Sequence, residues 1–215
     1  MGLLSYFYPH VIAQSHSKYN KNIKVIERFG KKELSVNGIQ QSGSYTKKLW
    51  VKGMKNLSES SEKGITSILI LGVGGGTLIP ILRERYPESD ITAVDIDAEI
   101  IRIYRTYFQE PGVLSVNLIC NDATKIVITL HKSGIRYDMI IVDLFTGNDV
   151  PESIEQTAFH RGIRRLLTEG GIAAWNYFSY RNQQAKSEKL KIMLSSVYNS
   201  VQTKRILYNM FFYCS

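Results

Sequence analysis

The chain predicts an α/β fold, a doubly wound, mostly parallel sheet with an antiparallel final strand and a small amino-terminal β-hairpin. Three observations carry this expectation. From Thr66 onward short apolar runs alternate with helix-period segments, the pattern of successive βα units. One apolar run, residues 68–71, passes directly into Gly72-Val73-Gly74-Gly75-Gly76-Thr77 and then a helical pattern, as a strand, turn and helix would. The last two apolar runs, near 203–207 and 209–214, are joined too tightly to be parallel.

The elements follow in order. Residues 1–8 are apolar, lack a basic flank and stop at Pro9-His10, too short for a signal peptide or a membrane span. Tyr6 occupies the Ser/Thr position of a myristoylation signal, so a packed arm or a subunit contact is expected. Residues 22–29 and 33–39 alternate around Gly30-Lys31-Lys32 and read as the hairpin. Gln40-Gln41-Ser42 follows, 45–57 reads as a helix, and the polar stretch through Lys63-Gly64 as a linker. The predicted organisation is therefore 1–57, an arm, hairpin and helix, followed by the main domain over 64–215.

Within that domain the predicted strands lie at 67–72, 91–95, 116–120, 137–143 and 172–176, ahead of the closing antiparallel pair. Helices are predicted near 77–86, 98–108, 124–131, 153–167 and 185–200. Pro87 and Pro111 stop the first two, and Glu169-Gly170-Gly171 stops the fourth.

Composition bounds the function classes. At 215 residues and 44% hydrophobic, the chain can bury the core of one ordinary domain. The net charge of +8 is spread over lysines of the first quarter without an RNA-binding motif, and reads as a solvated basic face. Cys120 and Cys214 have no metal-ligand spacing and sit in apolar surroundings. Buried free thiols in a reducing, cytoplasmic setting are expected, with no metal site.

Ligands of doubly wound sheets collect beyond the carboxyl ends of the strands, where strand order reverses. The glycine turn, Asp95, Asp122 and Asp143 all fall at such ends. Gly72, Gly74 and Gly76 allow a tight turn and close approach by a ligand at a helix N-terminus. Because Thr77 stands where a dinucleotide fingerprint has its last glycine, the run is similar to motif I of class I S-adenosylmethionine-dependent transferases. Asp95, about 20 residues on, is placed to accept bonds from ribose hydroxyls. Asp97 reads as a helix N-cap, whereas Asp122 reads either as an N-cap or as an acceptor for an adenine amino group. Asp143, closing the fourth strand, faces the reacting end of a donor, where it would pair a cationic substrate or take a proton. A silent turn is the alternative for it.

Taken together, Leu34-Ser35-Val36-Asn37-Gly38-Ile39-Gln40-Gln41-Ser42, the glycine run, Val94-Asp95-Ile96-Asp97, Asn121-Asp122-Ala123 and Val142-Asp143 resemble the spermidine synthase family of polyamine aminopropyltransferases. The resemblance implies that Gln41 touches the donor, Asp95 its ribose and Asp122 its adenine, and that Asp143 orients and deprotonates the attacking amine. Three departures stand beside it: Gly75 where the family has an acidic residue, Thr146 at the second acidic position after Asp143, and Gly43-Ser44-Tyr45-Thr46-Lys47-Lys48 in place of an acidic and Tyr-His-Glu-like segment. Lysines beside a diamine pocket would repel the substrate, with Asp149 and Glu152 the candidates to compensate.

The expected function is thus transfer from an S-adenosyl sulfonium donor, with a methyl group from S-adenosylmethionine preferred. Aminopropyl transfer from decarboxylated S-adenosylmethionine to a polyamine is the alternative, and a non-catalytic nucleoside-binding protein a further one. The acceptor is expected to be a small molecule, with an amine the candidate; Tyr45, Phe145, Tyr177 and Phe178 are candidates to line its pocket, though aromatic residues near strand ends are more often core or lid packing. Nucleic acid is not expected, since strand four lacks the Asn/Asp-Pro-Pro-Tyr/Phe segment that holds a flipped base. The amino-terminal region is expected to cover the donor site or to form a homodimer contact.

Overall fold

Alternating apolar residues build a small antiparallel sheet first. The computed structural model describes residues 8–57, 64–110, 116–145, 151–179 and 183–215. In it β1 (His10–Ser15), β2 (Ile23–Arg28), β3 (Lys31–Val36) and β4 (Ile39–Gln40) pair in chain order, so the expected hairpin is the centre of a four-stranded sheet. Its turn is Phe29-Gly30, both residues left-handed with φ of 50° and 69°, and Lys31 and Lys32 already pair with Arg28 and Glu27. The strand expected over 33–39 breaks at Asn37-Gly38, with φ of 51° and 84°. Asn-Gly favours this two-residue primed turn, which folds β4 back onto β3. Ile23, Val25, Leu34 and Val36 are buried together with Ile100 and Ile103 of the main domain.

Helix α1 (Ser44–Leu57) then lays Leu49, Trp50, Met54 and Leu57 into the core beside Ile68 and Ile70. The large sheet contains β5 (Ser67–Leu71), β6 (Asp90–Asp95), β7 (Asn117–Cys120), β8 (Tyr137–Val142), β9 (Leu167–Phe178), β10 (Val201–Ile206) and β11 (Asn209–Cys214). Their order across the sheet is β10-β11-β9-β8-β5-β6-β7. The pairs β5–β6, β6–β7, β5–β8 and β8–β9 are parallel, whereas β11 runs antiparallel to both β9 and β10. The chain winds from β5 outward through β6 and β7, then returns to the other side of β5 as β8, which puts the reversal of strand order between β5 and β8.

Every residue of β8 is buried, as a central strand covered on both faces requires. On one face the core is shared with α4 (Ala123–Lys132), α5 (Thr157–Leu166) and α6 (Gln184–Ser195), and on the other with α1 and α2 (Leu78–Arg85). Helix α3 (Ala98–Ile103) lies between the main sheet and the small one. Among the described residues no helix is long and apolar enough to cross a membrane.

Several boundaries depart from expectation. The helix predicted over 98–108 is α-helical only to Ile103 and continues as a wider π turn, Tyr104–Phe108, closed by Gln109 N–H to Tyr104 O at 2.9 Å. The buried Tyr104 ring fills the space a Cβ would take at Gly76. The helix predicted over 153–167 splits into a 3₁₀ turn, Glu152–Glu155, and α5. Strand β9 begins at Leu167, with residues 168–171 bulged between the pairs Tyr137–Leu167 and Met139–Ile172. Cys120 is also a correction: it ends β7 at the sheet edge and is exposed, while Cys214 is fully buried, and both thiols are free.

At the opposite end of the sheet from the glycine turn, Asp138 of β8 is buried and fastens three segments. Its Oδ2 accepts from the N–H and hydroxyl of both Thr66 and Ser67, at 2.9 to 3.1 Å, and its Oδ1 from Thr168 Oγ1 at 2.9 Å. Desolvation alone would raise its pKa, but the bonds from Thr66, Thr168 and Ser67 outweigh it and hold the carboxyl at about 2. A depressed folded value means stability that is complete above pH 4 and lost as pH falls toward 2. Asp138→Ala should therefore cost ~2–4 kcal/mol in urea unfolding at pH 7, and the gap from wild type should narrow steadily between pH 4 and pH 2. A gap that stays constant with pH would mean the carboxylate charge contributes nothing.

Candidate functional site

The glycine turn leaves β5 directly against the end of β8. Gly72 has φ of +99°, and a Cβ there would stand 2.2 Å from the Asp143 carbonyl oxygen, so only glycine lets the two backbones lie side by side. Gly75 makes a second close approach: its missing Cβ is occupied by Ser42 Oγ and by Leu34 of the small sheet. This explains one departure in the sequence, since an acidic side chain at residue 75 has no room. Ser42 Oγ in turn accepts from Leu34 N–H at 2.9 Å, locking the segment that presents Gln41.

A cavity of about 270 Å³ opens above this turn. Gly72 and Gly74 form its floor, Asp95, Asp97 and Asp122 one wall, Asp143 and Phe145 another, and Tyr19, Asn20 and Gln41 of the small sheet its cover. Gly76 lies beneath Tyr104, outside the cavity. The sequence-predicted site residues other than Gly76 thus converge on one space.

Asp95 ends β6 with its carboxylate turned to the glycine loop. Oδ2 accepts from Val73 N–H at 3.0 Å and Gly74 N–H at 3.4 Å, and Oδ1 from Asp97 N–H at 3.0 Å. A carboxylate offers about four acceptor positions, so one remains for a ligand hydroxyl, and a second ribose bond requires the long Gly74 contact to yield. Burial raises its pKa, against the three N–H donors.

Asp97 caps α3 through Glu99 N–H at 3.0 Å, as the sequence suggests, but its other oxygen is gripped by Ser17 Oγ and by Asn20 Nδ2 at 2.8 Å. The cap of one helix is therefore also the latch that holds the β1–β2 loop over the cavity. Asp122 caps α4, and its bonds from Thr124 N–H, Thr124 Oγ1 and Lys125 N–H all fall on Oδ1. The N-cap reading of this residue is the one the structure shows, and all three bonds leave Oδ2 outside the cap, on a residue that lines the cavity. Burial pushes its pKa up, but the Thr124 and Lys125 bonds outweigh it and the net shift is downward.

Asp143 sits where two spaces meet. A second cavity of about 130 Å³ lies on its far side, and the two share Gln41, Thr46, Asp143 and Phe145. Asp143 Oδ1 accepts from Asn176 Nδ2 at 2.8 Å and Oδ2 from Trp50 Nε1 at 3.1 Å. Burial dominates over these two donors and raises its pKa to about 6. A carboxyl with that value is ionised at neutral pH yet basic enough to take a proton during reaction.

Of the four candidate aromatics, Tyr45, Phe145 and Phe178 line this second cavity, whereas Tyr177 packs in the core, the commoner role for an aromatic near a strand end. Side chains alternate along β9, so Asn176 and Phe178 face the cavity while Tyr177 points to the opposite core and bonds Glu155 at 2.9 Å. Lys47 and Lys48 are exposed and line neither cavity. Glu152 lines neither as well, and Thr146 and Asp149 lie outside the described residues. Trp50, Asn176, Thr46, Tyr19, Ser17 and Asn20 were not singled out by the sequence reading. Only Asn176 carried a cue, an amide inside the otherwise apolar run Ala173-Ala174-Trp175-Asn176-Tyr177-Phe178.

The model of the spermine/spermidine synthase domain matches residues 51–209. A polyamine aminopropyltransferase of Vibrio vulnificus is 32% identical over 134 residues, which are 62% of this chain and 42% of that one. A probable polyamine aminopropyl transferase of Bifidobacterium longum is also 32% identical, over 64% of this chain and 30% of that one. The chain spans less than half the length of these relatives. Among solved structures, a probable spermidine synthase from Corynebacterium glutamicum superposes with a TM-score of 0.79 at 20% identity, covering 94% of this chain and 79% of that one, which shows a shared fold.

The Asp95 geometry yields a test with 5′-methylthioadenosine as probe. Asp95→Ala should weaken its binding by ~2–4 kcal/mol in calorimetry, through loss of the ligand bond and of the anchor for Val73 and Gly74 N–H. Unchanged affinity would remove Asp95 from the binding wall.

Proposed function

The chain belongs to the spermine/spermidine synthase domain family, and from that premise we propose that it transfers an aminopropyl group from decarboxylated S-adenosylmethionine to a small amine. The observation that carries the reading is the placing of Asp143 between the two cavities. A donor lying along Gly72, Gly74, Asp95 and Asp122 directs its sulfonium end toward Asp143, and an amine in the second cavity reaches that end from the other side. The relatives named above as aminopropyltransferases also favour this over the methyl transfer expected from the sequence. One argument for methyl transfer has lost its ground, because the two lysines invoked against an amine line neither cavity.

The chemistry is a single displacement. The amine nitrogen forms a bond to the methylene carbon beside the sulfonium, the carbon–sulfur bond breaks, and 5′-methylthioadenosine leaves as a neutral thioether. An amine arrives as an ammonium and must shed a proton before its lone pair can attack. Asp143 pairs that cation and accepts the proton, while the enclosing walls hold donor and acceptor in line, which supplies most of the rate. Gln41 and Thr46, common to both cavities, border the reacting centre.

Incubation with decarboxylated S-adenosylmethionine and, separately, with S-adenosylmethionine, against putrescine, spermidine and simple monoamines, tests the reading by mass spectrometry. The expected products are 5′-methylthioadenosine and an aminopropylated amine; S-adenosylhomocysteine with a methylated acceptor would replace the proposal. Asp143→Asn should lower turnover ~10²–10⁴-fold with donor affinity nearly intact. In the wild type, kcat/KM should fall tenfold per pH unit below pH 6, since acid protonates the carboxyl that must be ionised. An acid limb near pH 4 instead would detach the rate from Asp143.

A further inference from the structure

Asp143 is held from two directions by elements far apart in sequence. Trp50, fully buried on α1, is fixed by edge-on contact with Phe211 of β11, ring centroids 5.1 Å apart at 85°. Gly53, one turn on, makes room for that clamp, since a Cβ there would meet the Phe211 ring. The indole therefore has one orientation, with Nε1–H aimed at Asp143 Oδ2. On the other side, the amide of Asn176 is oriented by Asn209, whose Nδ2 donates to Asn176 Oδ1 at 2.8 Å. With its oxygen engaged, Asn176 must turn its NH₂ toward Asp143 Oδ1. Each carboxylate oxygen thus spends one acceptor position on a rigid donor and keeps the other.

We propose that Trp50 and Asn176 are positioning residues for the transfer, fixing through their two hydrogen bonds which face of the Asp143 carboxylate meets the acceptor amine. The inference rests on the reading of Asp143 as the proton acceptor. A buried carboxylate merely needing partners would be satisfied by mobile donors. Here both donors are immobilised by a second residue, and Asn176 and Asn209 themselves border the acceptor cavity. Among the described residues, the other titratable groups lining the two cavities are Tyr19, Asp95, Asp97, Asp122 and Tyr45. Among the described residues, the hydrogen bonds to the Asp143 side chain come from Trp50 and Asn176. Removing either bond should weaken the ionised form specifically and displace its titration upward.

The test uses Trp50→Phe, which keeps an aromatic ring and deletes the donor, and Asn176→Ala as an independent second variant, each checked by thermal melting. Turnover with decarboxylated S-adenosylmethionine should fall about 10- to 100-fold, with the donor KM within about twofold. The Asp143 carboxyl, followed by carbon NMR in the full chain, should titrate about 0.5–1 pH unit higher than in the wild type. In an Asp143→Asn background, Trp50→Phe should add almost nothing to the loss, because the residue acts through Asp143. An Asp143 titration unchanged in whichever variant folds overturns the inference, whether or not the wild type turns over. So does a Trp50→Phe penalty of the same size with and without Asp143. A wild type that binds 5′-methylthioadenosine but yields no aminopropylated amine sinks the proposed function instead, and is recognised by that signature.

Discussion

The backbone of residue 72 lies in contact with the backbone of Asp143, and the rest of the site follows from that contact. Two parallel neighbours, β5 and β8, end side by side and send their chains away in opposite directions. A crevice forms only if the turn after β5 stays tight enough to leave space above it, and any side chain at position 72 would push the two apart. The glycine loop, held in that shape by Asp95, then faces the carboxylate that ends β8 across a gap of ligand size. The small sheet completes the enclosure through its own close contacts, Ser42 on Gly75 and the β1–β2 loop on Asp97.

Three carboxylates of the large sheet show how donor supply and desolvation together set behaviour. Asp138 receives at least five hydrogen bonds and is held at about 2, a well-satisfied charge that fastens strand ends together. Asp95 receives three N–H groups, fewer than burial demands, and its pKa rises. Asp143 receives two and rises to about 6. The group left hungriest for a partner is the one at the junction of the two cavities, where a cation would supply what the protein withholds. Charge on the inside of this molecule is thus graded from amply hydrogen-bonded at one end of the sheet to sparsely hydrogen-bonded at the other.

Much of this was legible in the sequence because it rests on short-range signals. Apolar runs locate β5, β6, β7 and β8 to within a residue or two but miss the first five residues of β9, and the acidic residues at strand ends stand out because a carboxylate closing a buried run is conspicuous. What escaped was either local chemistry read too coarsely or contact across the chain. Asn37-Gly38 is a strong turn signal lying inside a stretch of strand-like alternation, and β1, whose His10-to-Ser15 sequence alternates weakly, offers little to find. The π turn begins at Tyr104, whose ring covers Gly76, a tertiary contact that no local pattern announces. Tyr177 was assigned to the acceptor wall by position alone, although period-two alternation sets it opposite Asn176. Trp50 was invisible as a site residue, because an indole on an amphipathic helix reads as core until the fold brings Asp143, 93 residues later, to its nitrogen.

That last contact bears on modularity. The seven strands look like a self-sufficient unit that begins at Ser67, yet the carboxylate at their centre takes one of its two hydrogen bonds from a helix encoded upstream of all of them. A graft of the sheet alone would inherit the acid without its upstream partner. Recombination, truncation or domain shuffling that cuts between residues 50 and 67 would separate the two halves of one functional group. The heritable piece is therefore larger than the architectural one, and its border runs through the helix rather than through the linker that follows it.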